Sequence, residues 1–265
     1  MNTRRLVLVV PIYNFEEYLT TTLERLADWQ AQVPEWDLRI VFADDGSTDD
    51  SCKSIERWLP EHPTWQLLRG ECNRGKGHAV RRGIQAAYAW DPDYIVFTDC
   101  DLYYGLEIIL SRIAPALAHA DIVIVDRTLS NRERRIPLRR HVASAVFNRL
   151  VAVLTGIHYK DTQAGLKAFN ARTCGPLFEV LTLDRFAFDV ELLSVALHHQ
   201  YRIEQLPVES PAKLTEYASS VAMLPSSMQM FLDLLRINRN WKTGRYASAS
   251  LLARLKRNTH VITDD

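Results

Sequence analysis

The stretch "YIVFTDCDL", residues 94–102, passes from an apolar run straight into two acids, Asp99 and Asp101, one residue apart. Tyr94 to Asp99 has strand length and is apolar at successive positions, as in a strand buried on both faces. Two like charges at the end of such a strand repel each other, and burying them without compensation is costly, so they call for a cation. Mg2+ or Mn2+ suits, because these hard ions take carboxylate oxygens and share the rest of their shell with substrate phosphates. The bland reading is a solvated loop that carries two ordinary aspartates.

Similar runs lie on either side. "LVLVV" (6–10), "LRIVFAD" (38–44), "WQLLR" (65–69) and "DIVIVD" (121–126) all have strand length, and "YRIEQLPVE" supplies a plausible last strand. Helical patterns alternate with them. Val80, Ile84, Ala87 and Tyr88 form the stripe of a helix packed on a sheet, and Ser47 or Thr48 can cap a helix that runs to Trp58. The fold class is therefore α/β, a Rossmann-like doubly wound, mostly parallel sheet.

Sheets of this kind bind ligands beyond the carboxyl ends of their strands, which is where the polar motifs fall. "PIYN" follows the first strand, "DDGSTD" the second, "NRGKG" the third, and "DCD" ends the fourth. Taken singly, "DDGSTD" is equally a tight turn with a cap, and "NRGKG" a surface turn. Two glycines flanking Lys76 at a helix start also let backbone approach a phosphate beside a cation.

With 265 residues the chain can bury a sizeable core, and 32 Lys and Arg balance 32 Asp and Glu, so net charge argues for no nucleic-acid partner. The four cysteines form no CxxC pair, which fits a reducing cytoplasm. The apolar run before Pro11 is too short for a signal-peptide core or a membrane helix, and Asn148 and Arg149 break the other long apolar region. The expected location is cytoplasmic, with peripheral contact on the cytoplasmic membrane face left open.

In sequence order, "VVPIYN", "DDGSTD", "NRGKGHAVRRG", "FTDCDL", "DTQAGLKAF" and "FAFDVELL" resemble glycosyltransferase family 2, proteins of the GT-A fold, over about residues 6–239. The likeness is greatest to the polyprenyl-phosphate branch, which holds the dolichyl-phosphate glucosyltransferases and mannose synthases. The resemblance implies a hexose transferred with inversion from a nucleotide sugar, UDP-glucose favoured and GDP-mannose next, to a polyprenyl phosphate. It places Pro11, Tyr13, Asn14, Asp44 and Asp45 at the nucleoside, Asn73, Arg74 and Lys76 at the phosphate and sugar, and Asp99 with Asp101 on the metal. Three departures stand out. Phe15 separates Tyr-Asn from Glu16, Tyr103 stands where mannose synthases offer a Gln ligand, and Val125-Asp126-Arg127 replaces Gly-Ser-Arg.

Between residues 126 and 148, Arg127, Arg132, Arg134, Arg135, Arg139 and Arg140 crowd around a single Glu133. This reads as a solvated basic loop or as anion capture, since guanidinium forks match phosphate oxygens. The resemblance singles out Arg127 and Arg140 for the acceptor phosphate, and puts Asp161, Gln163 and Lys167 on the acceptor side. Asp189 and Glu191 are either candidate bases or first-turn acids of a helix.

A phosphate acceptor is already a dianion at neutral pH, so it needs no base. Two alternatives remain: a family 2 transferase with a hydroxyl acceptor, and a nucleotide-sugar-binding protein without turnover. The expected organisation is a catalytic domain (1–215), an amphipathic helical region (216–245) and a polar tail (246–265). Met228, Phe231, Leu232 and Leu235 mark the helix's apolar stripe, which either packs on the domain or lies on a membrane beside Arg236, Arg239, Lys242 and Arg245.

Overall fold

The computed structural model describes residues 3–127, 149–159, 161–208, 223–248, 250 and 251, and for 223–228 the backbone alone. Its centre is a seven-stranded sheet in the order β3-β2-β1-β4-β6-β5-β7. The strands are β1 (Arg4–Ile12), β2 (Trp36–Asp44), β3 (Trp65–Leu68), β4 (Tyr94–Thr98), β5 (Ile122–Asp126), β6 (Leu166–Asn170) and β7 (Ile203–Pro207). All the runs read as strands from the sequence are strands.

The apolar runs bury both faces, and alternation sorts their side chains. Val7, Val9, Val41, Ile95 and Phe97 join one core, while Leu6, Leu8, Val10, Ile40, Phe42 and Val96 join the other. Helix α1 (Glu16–Gln32) covers the second face with Leu19, Leu23 and Leu26, and α2 (Ser51–Trp58) adds Ile55. Helix α3 (Lys76–Ala87) covers the first with Val80, Ile84 and Ala87, the stripe its spacing predicts. A π turn, Ile109–Ile113, runs into the short α4 (Ala114–Ala116) before β5.

One capping expectation fails. Helix α2 starts at Ser51 with Asp50 at its N-cap, because Ser47 and Thr48 are engaged with Asn14 instead: Asn14 N–H donates to Ser47 Oγ at 3.0 Å and Thr48 N–H to Asn14 Oδ1 at 2.8 Å. The loops after β1 and β2 are thereby joined.

Strand β6 is antiparallel to both neighbours, with Phe97 opposite Lys167 and Ile124 opposite Lys167 on the other side. The remaining pairs are parallel. An antiparallel strand begins where parallel strands end. The residues leading into β6, Asp161–Gly165, therefore enter beside the carboxyl end of β4 and its acidic couple.

Helices α5 (Ala171–Val180) and α6 (Phe188–His198) follow, and nearly every residue of α6 is buried, as in a helix inside the core. Against α6 lies α7 (Met223–Lys242), held by Leu234 and Ile237, by Trp241 Nε1–H donating to Ser194 Oγ at 3.0 Å, and by the His198 ring stacked on Trp241. Its orientation separates the two readings of its stripe. Phe231, Leu232 and Leu235 are 39%, 51% and 42% exposed, so they face outward while Asp233, Leu234, Ile237 and Asn240 face the protein. The polar tail expected from residue 246 starts instead with core residues: Tyr246 and Leu251 are buried. No helix among the described residues is long and apolar enough to cross a membrane.

Candidate active site

The carboxyl ends of β1, β2, β4 and β5 open on one edge of the sheet, and the amino end of α3 faces the same edge. The wall nearest β1 and β2 is stitched by side chains. Asn14 sits at φ 45°, a conformation asparagine tolerates, and its bonds to Ser47 and Thr48 are continued by Glu16 N–H to Asp49 Oδ2 and Asp50 N–H to Glu16 Oε2. Pro11 is half-buried on this wall, and Tyr13 is 46% exposed, presenting its ring at the rim.

Asp44 and Asp45 lie beneath that wall, buried at 1% and 3% exposure. The Asp44 carboxylate accepts the N–H groups of Gly46, Ser47 and Gly70 at 3.0–3.1 Å. Burial opposes its charge, but the Ser47 hydroxyl and these N–H groups outweigh burial and hold it below the usual carboxylate range. Asp45 accepts from Arg74 and Gly75 N–H at 3.1 and 2.7 Å. Both acids hold loops in shape. Gly75 has φ +121°, and a Cβ there would meet Asp184 O at 2.5 Å, so the turn into α3 is open only to glycine.

Asn73 and Arg74 are exposed at the mouth, and Arg74 reaches Asp184 at 3.2 Å. Asp184 also takes Arg81, whose Nη1 donates to Leu181 and Leu183 carbonyls, so α3 is tied to the segment before α6. Lys76, the first residue of α3, places its Nζ 2.6 Å from Asp99 Oδ1.

Asp99 and Asp101 sit where the strand's end predicts. Asp99 N–H donates to Gly165 O at 3.1 Å, and its side chain is 41% exposed. Asp101 is half-buried, with Oδ1 accepting Tyr103 N–H at 3.1 Å and its main-chain oxygen accepting from Arg25. Burial, then the charge of Asp99, pushes the Asp101 carboxyl up. Both causes disfavour a second negative charge here, so added positive charge beside Asp101 would be stabilising. No group of three or more His, Cys, Asp or Glu able to hold a metal exists among the described residues. Two hard oxygen donors, one on the partly exposed Asp99, fit Mg2+ or Mn2+ whose other ligands come from phosphate and water. Cys100, between them, is buried, and burial raises its thiol well above the ordinary range.

On the β5 side, Arg127 grips Asp161 with both arms of its fork, Nε to Oδ2 at 2.6 Å and Nη2 to Oδ1 at 2.8 Å, and adds its own N–H at 3.2 Å. Burial would raise Asp161, but the Arg127 hydrogen bonds and charge hold it below the carboxylate range. Gln163 donates to Phe186 O at 3.1 Å. Arg140, with the other arginines of residues 128–148, lies outside the described residues.

Two assignments on this side change. Lys167, expected near phosphate, is fully buried and donates to Asp189 Oδ1 at 2.7 Å and Ala164 O at 2.8 Å. Asp189, read as a candidate base, is 3% exposed and is that lysine's counter-charge. Glu191, like Asp189 a first-turn acid of α6 as the sequence allows, is also buried: it accepts Thr182 and Leu183 N–H at 2.8–3.0 Å and the Tyr246 hydroxyl at 2.7 Å. The reason is common to both. A first-turn carboxylate on a helix with no exposed face has to find its partner inside.

Sequence reasoning missed Gly165 and Tyr104. A Cβ on Gly165 would lie 1.8 Å from Asp99 Oδ2, so only glycine leaves room for that carboxylate. The glycine in "DTQAGLKAF" was the available signal. Tyr104, buried at 7% exposure, accepts Gly165 N–H at 3.2 Å, and nothing in the sequence separates it from Tyr103.

Comparison with known proteins agrees with this arrangement. A dolichyl-phosphate beta-glucosyltransferase of Trichomonas vaginalis, ALG5A, is 29% identical over 240 residues, covering 88% of this chain and 72% of the relative. The dolichyl-phosphate beta-glucosyltransferase of Homo sapiens is 28% identical over 261 residues, covering 92% and 78%. The mannosyltransferase PcManGT from Pyrobaculum calidifontis, solved in complex with GDP-Man and Mn2+, shares the fold at a TM-score of 0.55 and 17% identity, covering 98% of this chain and 81% of its own. Residues 7–176 match the model of Glycosyl transferase family 2, a span that runs from β1 through the acidic couple into α5. The chain belongs to glycosyltransferase family 2 and is a transferase of the GT-A fold.

Proposed function

We propose that the protein moves glucose from UDP-glucose to a polyprenyl phosphate by one inverting displacement. An acceptor phosphate oxygen attacks the anomeric carbon from the face opposite the nucleotide, and the bond to the diphosphate oxygen breaks with its electron pair. The dolichyl-phosphate acceptor named for the relatives motivates the lipid, and the same names motivate glucose over mannose.

The observation that carries this reading is the state of the acids on the acceptor side. Asp161 is locked to Arg127, Asp189 to Lys167, and Glu191 to two backbone N–H groups and Tyr246. These are the described acids that the sequence offers as bases for a hydroxyl acceptor, and Asp161, held below its usual range by a guanidinium, is a poor one. A phosphate monoester has a second pKa of about 6 and arrives deprotonated. Positioning and charge stabilisation then suffice, with Arg127 at the edge where β5 ends.

Asp99 and Asp101 would hold the divalent ion, which when bound supplies charge to the leaving diphosphate. Lys76 and the amino end of α3 add to the same positive field. Tyr13 and Pro11 offer the nucleoside a rim, with Asn14, Asp44 and Asp45 shaping the loops behind it and Asn73 and Arg74 at the mouth.

The outward Phe231, Leu232 and Leu235, followed by exposed Arg236, Arg239, Lys242 and Arg245, suit a peripheral contact with an anionic bilayer, where the acceptor's chain resides. The test supplies purified protein with Mn2+, UDP-glucose or GDP-mannose, and dolichyl phosphate in detergent. Expected are glucosyl lipid, a rate that is level above pH 7, and loss of transfer in Asp101→Asn. Equal transfer to dolichol, the neutral alcohol, would overturn the proposal.

A further inference from the structure

We propose that Lys76 is the resident counter-ion of the acidic couple, and that it is exchanged for the divalent ion only when the donor's diphosphate arrives to receive its ammonium group. The inference rests on the reading of Asp99 and Asp101 as the metal pair. It adds that metal and donor bind as a coupled unit.

The geometry is specific. Lys76 Nζ lies 2.6 Å from Asp99 Oδ1, a charge-assisted hydrogen bond, with the lysine side chain only 19% exposed. The ammonium lies 5.8 Å from the centre of the Phe97 ring, and Lys167 stands 5.5 Å from the same ring, itself held by Asp189. Lys167 is therefore not free to take over at Asp99. The other oxygen of Asp99 is walled by Gly165, where even a Cβ would stand at 1.8 Å. Among the described residues, Lys76 is thus the cation paired with the Asp99 carboxylate.

A metal ion on Asp99 and this ammonium on the same carboxylate are two positive charges within a few ångströms, so metal entry must move Lys76. The displaced group is desolvated by its surroundings and needs a new anion. It is anchored at the amino end of α3, where the helix dipole favours a diphosphate. The donor brings two phosphates to this point. Metal alone meets an opposing lysine, whereas metal with diphosphate finds the lysine drawn away.

The test measures Mn2+ affinity by electron paramagnetic resonance, with and without UDP, for the native protein, Lys76→Met and Lys76→Arg. Methionine keeps the unbranched stem beside Phe97 and removes the charge. Lys76→Met is expected to bind Mn2+ alone about tenfold more tightly than the native protein, the scale of one charge-assisted contact. UDP should then strengthen Mn2+ binding by a smaller factor in Lys76→Met than in the native protein, and Lys76→Arg should keep weak metal binding. Lys76→Gln, measured in parallel, serves if the methionine variant does not fold. Equal or weaker Mn2+ affinity in the folded neutral variant overturns the exchange while leaving the metal pair intact. Absence of Mn2+ binding in every protein, with UDP present, overturns both.

Discussion

Replacing Gly165 by Ala tests the site at its tightest point. Gly165 does not adopt a left-handed φ, so the backbone accepts alanine, but the added Cβ would stand 1.8 Å from Asp99 Oδ2 and 2.4 Å from its Cγ. Ordinary contact begins at 3.4 Å. The carboxylate must therefore retreat by about 1.6 Å, because contacts that short are strongly repulsive. Such a shift is most of a metal–oxygen bond of about 2.1 Å, and it also breaks the contact with Lys76. A misplacement of about 1 Å in a reacting constellation costs roughly 100-fold in rate, or about 2.7 kcal/mol of barrier. Stability should suffer much less. Turning one partly exposed side chain off its rotamer costs about 1 kcal/mol, worth roughly 2–4 °C in Tm for a chain of this size. The assay pairs initial rates of transfer from UDP-glucose with a thermal melt and a titration of Mn2+ in the presence of UDP. Transfer within twofold of the native rate, with an unchanged metal affinity, would show that Asp99 does not act from the position described.

Two further outcomes follow from other parts of the molecule. Changing Phe231, Leu232 and Leu235 together to Ser should reduce co-sedimentation with phosphatidylserine-containing vesicles at least tenfold, a flag on the scale of about 1.4 kcal/mol, while Tm stays level because the inner face of α7 is untouched. Vesicle binding equal to that of the native protein would remove the outer face from membrane contact. Asp44→Asn should lower stability at pH 7 by about 2 kcal/mol, since an amide receives the Gly46, Ser47 and Gly70 N–H groups less well than a carboxylate. The folded chain holds Asp44 below its ordinary value, so on acidification the unfolded chain takes up the proton first. Its stabilisation is complete above about pH 3.9 and is lost as pH falls through the lower folded value, so native and variant melts should converge there. A difference that stays constant from pH 7 to pH 2.5 would contradict the account.

Much of the site was legible because it lies at strand ends. Leu6–Val10, Leu38–Asp44 and Tyr94–Thr98 are apolar on consecutive positions, and such runs have one low-energy fate, a sheet covered on both faces. The direction of parallel strands then gathers "PIYN", "DDGSTD", "NRGKG" and the acidic couple at one edge. The order of β strands was less legible. Nothing local in Leu166–Asn170 says that it runs antiparallel between β4 and β5, since that choice is made by hydrogen bonds to partners about 70 and 45 residues away.

The amino-acid sequence by itself determined the layer architecture, the loops that gather at one edge of the sheet, and the placing of Asp99 and Asp101 together at the end of β4. Tertiary structure alone decided which charge answers which: Lys76 for Asp99, Arg127 for Asp161, Lys167 for Asp189, and backbone N–H groups with Tyr246 for Glu191. It also turned Phe231, Leu232 and Leu235 outward, although their spacing was compatible with either side. The physical reason is that burial pattern is a property of neighbouring residues in a strand or helix, whereas a counter-charge is found across the fold. Periodicity says which side of an element avoids water, and only three-dimensional packing says what stands opposite.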